Sequence, residues 1–305
     1  MPQTVTKTYI AQTRFIFHCH CKIKIPFFYG EHLLDDCFSI LEEIDFKYNS
    51  YQKGSYFDLI NQNAGNWTEV DETTINLLQN IKKIATLTQG SYAISVMPLI
   101  KLWGFYQKEL AKIPQENEIS SILKLVNDQK IEINGNCVKI EKEQELITGS
   151  FIKAFAVDEV VKFLKEKNIS DAIINAGGST IMALNNTDHL NWTVNITDPF
   201  VKNQLSRKKT ISNQCFSLSG RLNNQIEINR KKIGHILNAR TGFPSETAQV
   251  GVLTECAFLG DILSTALFAV EPQQLSPTIN SLQQEFKFEY YRIEANGDKQ
   301  QSKCF

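Results

Sequence analysis

The sequence predicts an α+β fold, with helices and sheets mixed along a chain long enough for one large domain or two smaller ones. Three observations lead there. Amphipathic helical stripes and short alternating strands are interspersed without strict βαβ alternation. Strand-like segments are too many for a helical bundle. The chain has 305 residues, 42% of them hydrophobic, which is enough to bury a sizeable core.

Residues 15–25 alternate as a strand, with Phe15, Phe17, Cys19, Cys21, Ile23 and Ile25 on one face and His18, His20, Lys22 and Lys24 on the other. The run His18-Cys19-His20-Cys21 looks like a metal site, but the two residue types point apart on a regular strand and do not close around one ion. Residues 31–44 place Leu33, Leu34, Cys37, Phe38, Leu41 and Ile44 on a helical stripe. Residues 71–88 open with Asp71 as N-cap and continue with Ile75, Leu78, Ile81, Ile84 and Ala85 on one side. Residues 107–120 are polar, contain Pro114 and read as a surface connection. Residues 130–140 read as a hairpin around Asn134-Gly135. Residues 153–167 form a helix with Val157, Val160, Val161 and Leu164 inward, followed by a strand at 172–175. Further strands are expected at 192–197, 214–218 and 250–254, and a helix at 255–270.

The net charge of -1, from 32 basic and 33 acidic residues, offers no field for nucleic acid or an anionic membrane. No apolar run is long enough to span a bilayer. The first residues, Met1-Pro2-Gln3-Thr4, lack the apolar stretch and cleavage site of a signal peptide, so the chain as written reads as cytoplasmic. The seven cysteines show no CxxC pair and no disulfide spacing, so reduced thiols are expected.

Within the last predicted helix, Asp261 and Thr265 are spaced i,i+4 and put two oxygens on one face. Such a pair suits a hard cation of the Mg²⁺ type, or is a solvated carboxylate beside a core threonine. Just upstream lies His235-Ile236-Leu237-Asn238-Ala239-Arg240-Thr241-Gly242-Phe243-Pro244. His235 at a strand-to-loop junction is a candidate base or a structural histidine. Arg240 can fork onto a phosphate or onto a carboxylate of the fold. Gly177-Gly178 after a strand either lets the backbone approach an anion or makes a tight turn, and Ser219-Gly220 has the same two readings. There is no G-x-G-x-x-G and no Walker-type loop.

The order of these pieces is Tyr51-x-x-x-Ser55 with Asn61, Gly90, Pro98-Leu99, Leu102-Trp103-Gly104-Phe105, and Lys153-x-Phe155-Ala156-Val157-Asp158. It continues with Asn175-x-Gly177-Gly178, Ser219-Gly220, residues 235–244 and Asp261-x-x-x-Thr265. That series resembles the ApbE family of FAD:protein FMN transferases, over nearly the whole chain, and the resemblance implies one large domain over residues 1–305, with a core from about 11 to 295 and mixed or antiparallel sheets packed with helices. The resemblance implies an enzyme that binds FAD and Mg²⁺, cleaves the pyrophosphate and passes the FMN phosphoryl group to a Thr or Ser hydroxyl of an acceptor flavoprotein, releasing AMP. It implies metal ligation by Asp261, Thr265 and the backbone carbonyl of Ser150. It implies FAD contacts at Tyr51, Ser91, Tyr92, Ala93, Lys153 and Ile236, with Gly177, Gly178, Ser219 and Arg240 also in the binding set, and His235 as base. Many members are exported and lipid-anchored, so a removed leader fits the resemblance.

The chain departs from the family pattern at Ala11, where a methionine is usual nearby, and at Tyr56, where glutamate is usual. Aspartates are usual at Ala93 and Ile147, and Asp-Pro at Asn238-Ala239. Loss of the two carboxylates predicts FAD binding weaker by about 1–3 kcal/mol each. Two other expectations share these residues: a catalytically degenerate relative that binds a flavin, a nucleotide or a protein, and an FAD pyrophosphatase that yields FMN and AMP.

Overall fold

A computed structural model describes residues 8–106, 112–303 and 305. In chain order the elements begin with β1 (Tyr9–Ile16), β2 (Cys19–Pro26), α1 (Glu31–Tyr48), α2 (Tyr56–Gln62), β3 (Thr68–Glu69) and α3 (Glu72–Leu87). They continue with α4 (Met97–Leu102), α5 (Glu116–Leu123), β4 (Glu132–Asn134), β5 (Cys137–Lys139) and α6 (Ile152–Glu166). Next come β6 (Ala172–Ala176), β7 (Thr180–Leu184), β8 (Trp192–Thr197), β9 (Leu205–Ile211), β10 (Cys215–Gly220), β11 (Gln225–Ile228) and β12 (Lys231–Gly234). The last are β13 (Thr247–Thr254), α7 (Ala257–Ala269), α8 (Pro272–Glu285), β14 (Glu289–Glu294) and β15 (Lys299–Gln301).

Eight strands form one sheet in the order β1-β2-β6-β7-β10-β13-β14-β15, and every neighbouring pair is antiparallel. The predicted α+β class is therefore present in its antiparallel form. One face of the sheet is covered by α7, which packs on β10 and β13; α6 packs on α7, and α1 on α6. The main core lies between these layers, with Ile23, Phe38, Val157, Val250, Leu263 and Leu267 fully buried. Helix α7 lies very close to the sheet. A Cβ at Gly260 would stand 2.6 Å from both Ser217 Oγ and Thr254 Oγ1, so only glycine allows this approach.

The predicted helices at 31–44, 71–88, 153–167 and 255–270 are present. Asp71 caps α3 by accepting from the Thr74 amide at 2.8 Å. The hairpin at 130–140 is β4–β5, turned through Gly135 and Asn136.

Two expectations need correction. Residues 15–25 are not one strand but a hairpin, broken where Phe17 and His18 take φ of 53° and 57°. Two consecutive positive φ values define the tight turn that suits right-twisted strands, and it is usually marked by Asn or Gly. Phe and His give no such signal, and the alternation continues across the break. As a result Phe15 is exposed while Cys21, Ile23 and Ile25 are buried. In the supposed connection at 107–120, residues 107–111 lie outside the described residues, but 116–123 are helical. Gln115 and Glu118 make a reciprocal capping box, and Ile119 anchors the helix in a second core cluster. Among the described residues, no helix is long and apolar enough to cross a membrane.

Candidate functional site

A cavity of about 670 Å³ opens where α7 and α6 meet the ends of β7 and β10. Its polar floor is the Asp261 carboxylate. Asp261 sits in the second turn of α7, almost fully buried, and accepts from Thr180 Oγ1 at 2.7 and 2.8 Å. The Lys153 ammonium, from the first turn of α6, is ion-paired with the same carboxylate. One helical turn beyond Asp261, Thr265 Oγ1 lies 3.3 Å from Ser219 Oγ, and Ser219 is 2.9 Å from Ser264 Oγ. A carboxylate and a group of hydroxyls therefore converge beside one cation.

The two helices are locked in register by a second contact. Asp158, one turn and a half along α6 from Lys153, accepts from the amides of Ala257 and Phe258 at 2.8 Å each. This caps α7 from outside, satisfies two of its free N–H groups and favours a negative charge at the positive end of its dipole.

The walls come from segments held by buried polar side chains. Asn61 pairs in both directions with the Leu146 backbone at 2.9 and 2.7 Å, and Ser50 exchanges bonds with Thr148. These contacts place Ile147 and Ser150 on the cavity. Ser150 Oγ is 2.9 Å from the Tyr92 hydroxyl. Asp128 accepts from the Ile94 and Ser95 amides and from Ser95 Oγ, which fixes the strip bearing Ala93. Burial pushes the Asp128 carboxyl up, and these three donors oppose the shift. Ala93 and Ile147 line the cavity near Val96 and Ile100, so this wall is apolar.

His235 follows β12 and also lines the cavity. Its Nδ1 is 3.3 Å from the Asn224 carbonyl, which can only accept. Nδ1 therefore carries the hydrogen, and Nε2 keeps its lone pair. Burial lowers the pKa of this histidine, so its neutral form dominates at neutral pH. The adjoining motif is a folded turn. Asn238 Oδ1 accepts from the Arg240 and Thr241 amides at 2.9 and 3.0 Å, its Nδ2 donates to the Ala269 carbonyl, and Trp103 Nε1 donates to the Gly242 carbonyl.

The structure brings Tyr51, Tyr92, Ala93, Ser150, Lys153, Ser219, His235, Ile236, Asp261 and Thr265 onto one cavity. Four other predicted residues lie off it. Arg240 points outward and pairs with Glu271. Ser91 is buried with its carbonyl bonded to the Ala239 amide. Gly177 and Gly178 form an exposed turn with φ of 68° and 72°, closed by the Gly178 amide on Asn175 Oδ1. For Arg240, Gly177 and Gly178 the structural or turn alternative fits their surroundings. Sequence reasoning missed Thr180, which lies in an apolar strand with no motif signal. It also put His18 on an outward strand face, whereas the hairpin turn aims it into the cavity, 5.9 Å from Tyr51 ring to ring.

The floor suits a hard cation in chemistry: the donors are oxygens only, one of them anionic. Among the described residues no group of three or more His, Cys, Asp or Glu is arranged to hold a metal. A cation here would rest on one carboxylate, hydroxyl and carbonyl oxygens, and a phosphate-bearing ligand.

The family model described as the ApbE family matches residues 17–288. Two curated proteins named FAD:protein FMN transferase are similar to this chain. The one from Haemophilus influenzae is 26% identical over 244 residues, covering 76% of this chain and 70% of that protein. The one from Klebsiella pneumoniae is 28% identical over 220 residues, covering 69% and 67%. The crystal structure of the ApbE protein from Thermotoga maritima superposes with a TM-score of 0.88 at 20% identity, over 98% of both chains. The flavin transferase ApbE from Vibrio cholerae does so with a TM-score of 0.82 at 21% identity, again over 98% of both.

Proposed function

This chain belongs to the ApbE family, and on that premise we propose that it is a Mg²⁺-dependent FAD:protein FMN transferase. The reading is supported by the names of its curated relatives. The observation that carries it is the convergence of Lys153, Asp261, Thr265 and His235 on one cavity from three separate segments. Asp261, Thr265 and the Ser150 carbonyl would hold Mg²⁺, whose charge offsets that of the pyrophosphate. Lys153 adds a second positive charge at the same place, and Thr180 keeps the Asp261 carboxylate oriented. His235 Nε2 takes the proton from the acceptor hydroxyl. The acceptor oxygen forms a bond to the FMN phosphorus as the P–O–P bridge breaks, and AMP leaves with the electron pair. Such transfers need alignment and charge stabilisation more than covalent help.

The test is incubation with FAD, Mg²⁺ and an acceptor protein that offers a Thr or Ser hydroxyl, followed by chromatography for AMP and mass analysis of the acceptor. AMP together with an acceptor heavier by FMN less water is the expected result. AMP with free FMN and no acceptor dependence assigns a pyrophosphatase instead. Neither product would overturn both readings.

A further inference from the structure

Strands β8 and β9 pair only with each other among the described residues, and they cover the sheet face opposite α7. Val194, Ile196 and Ile211 of this ribbon are buried on Phe216 and Leu253, which alternate along their strands with Cys215 and Val252 of the main core. The residues joining the two strands make a folded tip. Asp198 Oδ1 accepts from the Phe200 and Val201 amides at 2.8 Å each, and the Asp198 amide donates to the Gln204 carbonyl at 2.8 Å. The tip leaves Phe200, Val201 and Leu205 47%, 50% and 55% exposed. Residues 198–211 hold four basic side chains, Lys202, Arg207, Lys208 and Lys209, and one acidic side chain, Asp198. The net charge of -1 over the whole chain hides this concentration. Arg207 lies over the Tyr291 ring at 4.0 Å and Lys209 over Phe305 at 4.7 Å, while Lys202 and Lys208 are exposed. Basic side chains on an edge strand guard against unwanted pairing, but that role does not call for three apolar side chains beside them.

We propose that the tip of the β8–β9 ribbon is a docking surface for an anionic phospholipid membrane. Phe200, Val201 and Leu205 enter the headgroup region, and Lys202, Arg207, Lys208 and Lys209 meet the lipid phosphates and carboxylates. Reversible attachment to a bilayer takes two weak signals, an apolar contact and a basic patch, and the tip carries both. A projecting tip encloses no pocket for the anchor residue of a protein partner, and two of its three apolar side chains are aliphatic and give bases no face to stack on. A fluid interface requires neither. Phe27 and Phe28 are more exposed, at 60% and 75%, but the helix after them begins with Glu31 and continues through Asp35 and Asp36, which an anionic surface repels. The tip also stands at the cavity's end of the sheet. Gln249 Nε2 donates to the Thr197 carbonyl at 3.0 Å, and Gln249 pairs across from Gly220, which lines the cavity. Docking through the tip therefore brings that end of the molecule to the lipid.

The test is co-sedimentation of the full chain with vesicles of phosphatidylcholine containing about 30% phosphatidylserine, against vesicles of phosphatidylcholine alone, at low salt. The mixed vesicles should carry half of the protein at an accessible lipid concentration on the order of 0.1–1 mM, and the neutral ones little. Lys202→Gln with Lys208→Gln should weaken binding about fivefold per charge removed. Phe200→Ser with Val201→Ser should weaken it about tenfold or more at the same salt. Phe27→Ser with Phe28→Ser should leave it unchanged. All three pairs replace exposed side chains, and an unaltered thermal midpoint shows that each variant is folded. No binding, equal binding to both vesicles, or loss in the Phe27 and Phe28 variant alone would overturn the proposal. Retention of a DNA oligonucleotide by a protein that ignores the vesicles would overturn it in favour of a nucleic-acid surface. None of these readouts requires flavin transfer, so the two proposals succeed or fail separately.

Discussion

Lys153 and Asp261, 108 residues apart in the chain, are ion-paired across the seam between α6 and α7, with the carboxylate almost wholly buried and the lysine edging the cavity. The pair joins the site's main positive and negative charges. Asp261→Asn should lower flavin transfer by about 10²–10³-fold, the usual cost of removing one preorganised charge partner. It should also lower stability by about 1–3 kcal/mol, because Lys153 loses its partner but stays within reach of cavity water. Initial rates against Mg²⁺ and urea unfolding measure the two effects. A variant that keeps full activity would remove Asp261 from the site.

Thr180 holds both oxygens of that carboxylate from the neighbouring strand. Thr180→Val keeps the shape and deletes the donor. The Mg²⁺ concentration for half-maximal activity should rise by about 10–100-fold, as expected when the support of a metal ligand is removed. Thr180→Ser should recover most of the loss. An equal defect in both variants would point to packing in place of orientation.

His235→Gln should slow transfer by about 10²–10⁴-fold and leave FAD affinity within a few-fold. Only the neutral imidazole accepts a proton. Burial lowers the His235 pKa below the ordinary 6.5, so activity should rise with pH through a midpoint below that value and be level at neutrality. A profile of kcat against pH checks this; an acid limb centred above 6.5 contradicts the assignment.

Gly260→Ala should move α7 off the sheet, because the new methyl meets Ser217 Oγ and Thr254 Oγ1 at 2.6 Å. A loss of about 1–3 kcal/mol is expected from such overpacking. Asp261 is the next residue, so Mg²⁺ dependence should weaken as well. Thermal unfolding and the Mg²⁺ titration together separate this from a purely local clash.

Ala93→Asp and Ile147→Asp put carboxylates on a cavity wall that is apolar. Each should tighten FAD binding by about tenfold or more if the new oxygen reaches a ligand donor. Fluorescence titration of FAD reads the change directly. Unchanged affinity in both would show that the apolar wall binds in its own way.

Much of this molecule is visible in the order of its residues. The stripe on α1, the Asp71 cap of α3, the inward face of α6 and the i,i+4 pair on α7 follow from 3.6-residue periodicity and capping chemistry. Strands whose flanks carry turn residues, such as β4 and β5, were equally legible. The break at Phe17-His18 was not, because its residues lack the signature of a positive-φ turn and the alternation ran through it. Helix α5 was overlooked because its polar faces and Pro114 suggested a connection, although the capping box at Gln115 and Glu118 was a local signal.

The sequence by itself determined the element types, because spacing along the chain records which side chains share a face, and the order of its motifs carried the resemblance that points to Asp261, Thr265, Lys153 and His235. Only the tertiary structure decided which of the predicted residues meet. Sheet register set Thr180 against Asp261, helix packing brought Lys153 to the same carboxylate, and the turn after His235 sent Arg240 outward to Glu271. These contacts join residues 31 to 108 positions apart. They depend on how strands pair and helices stack, and no local pattern in the chain encodes that distance.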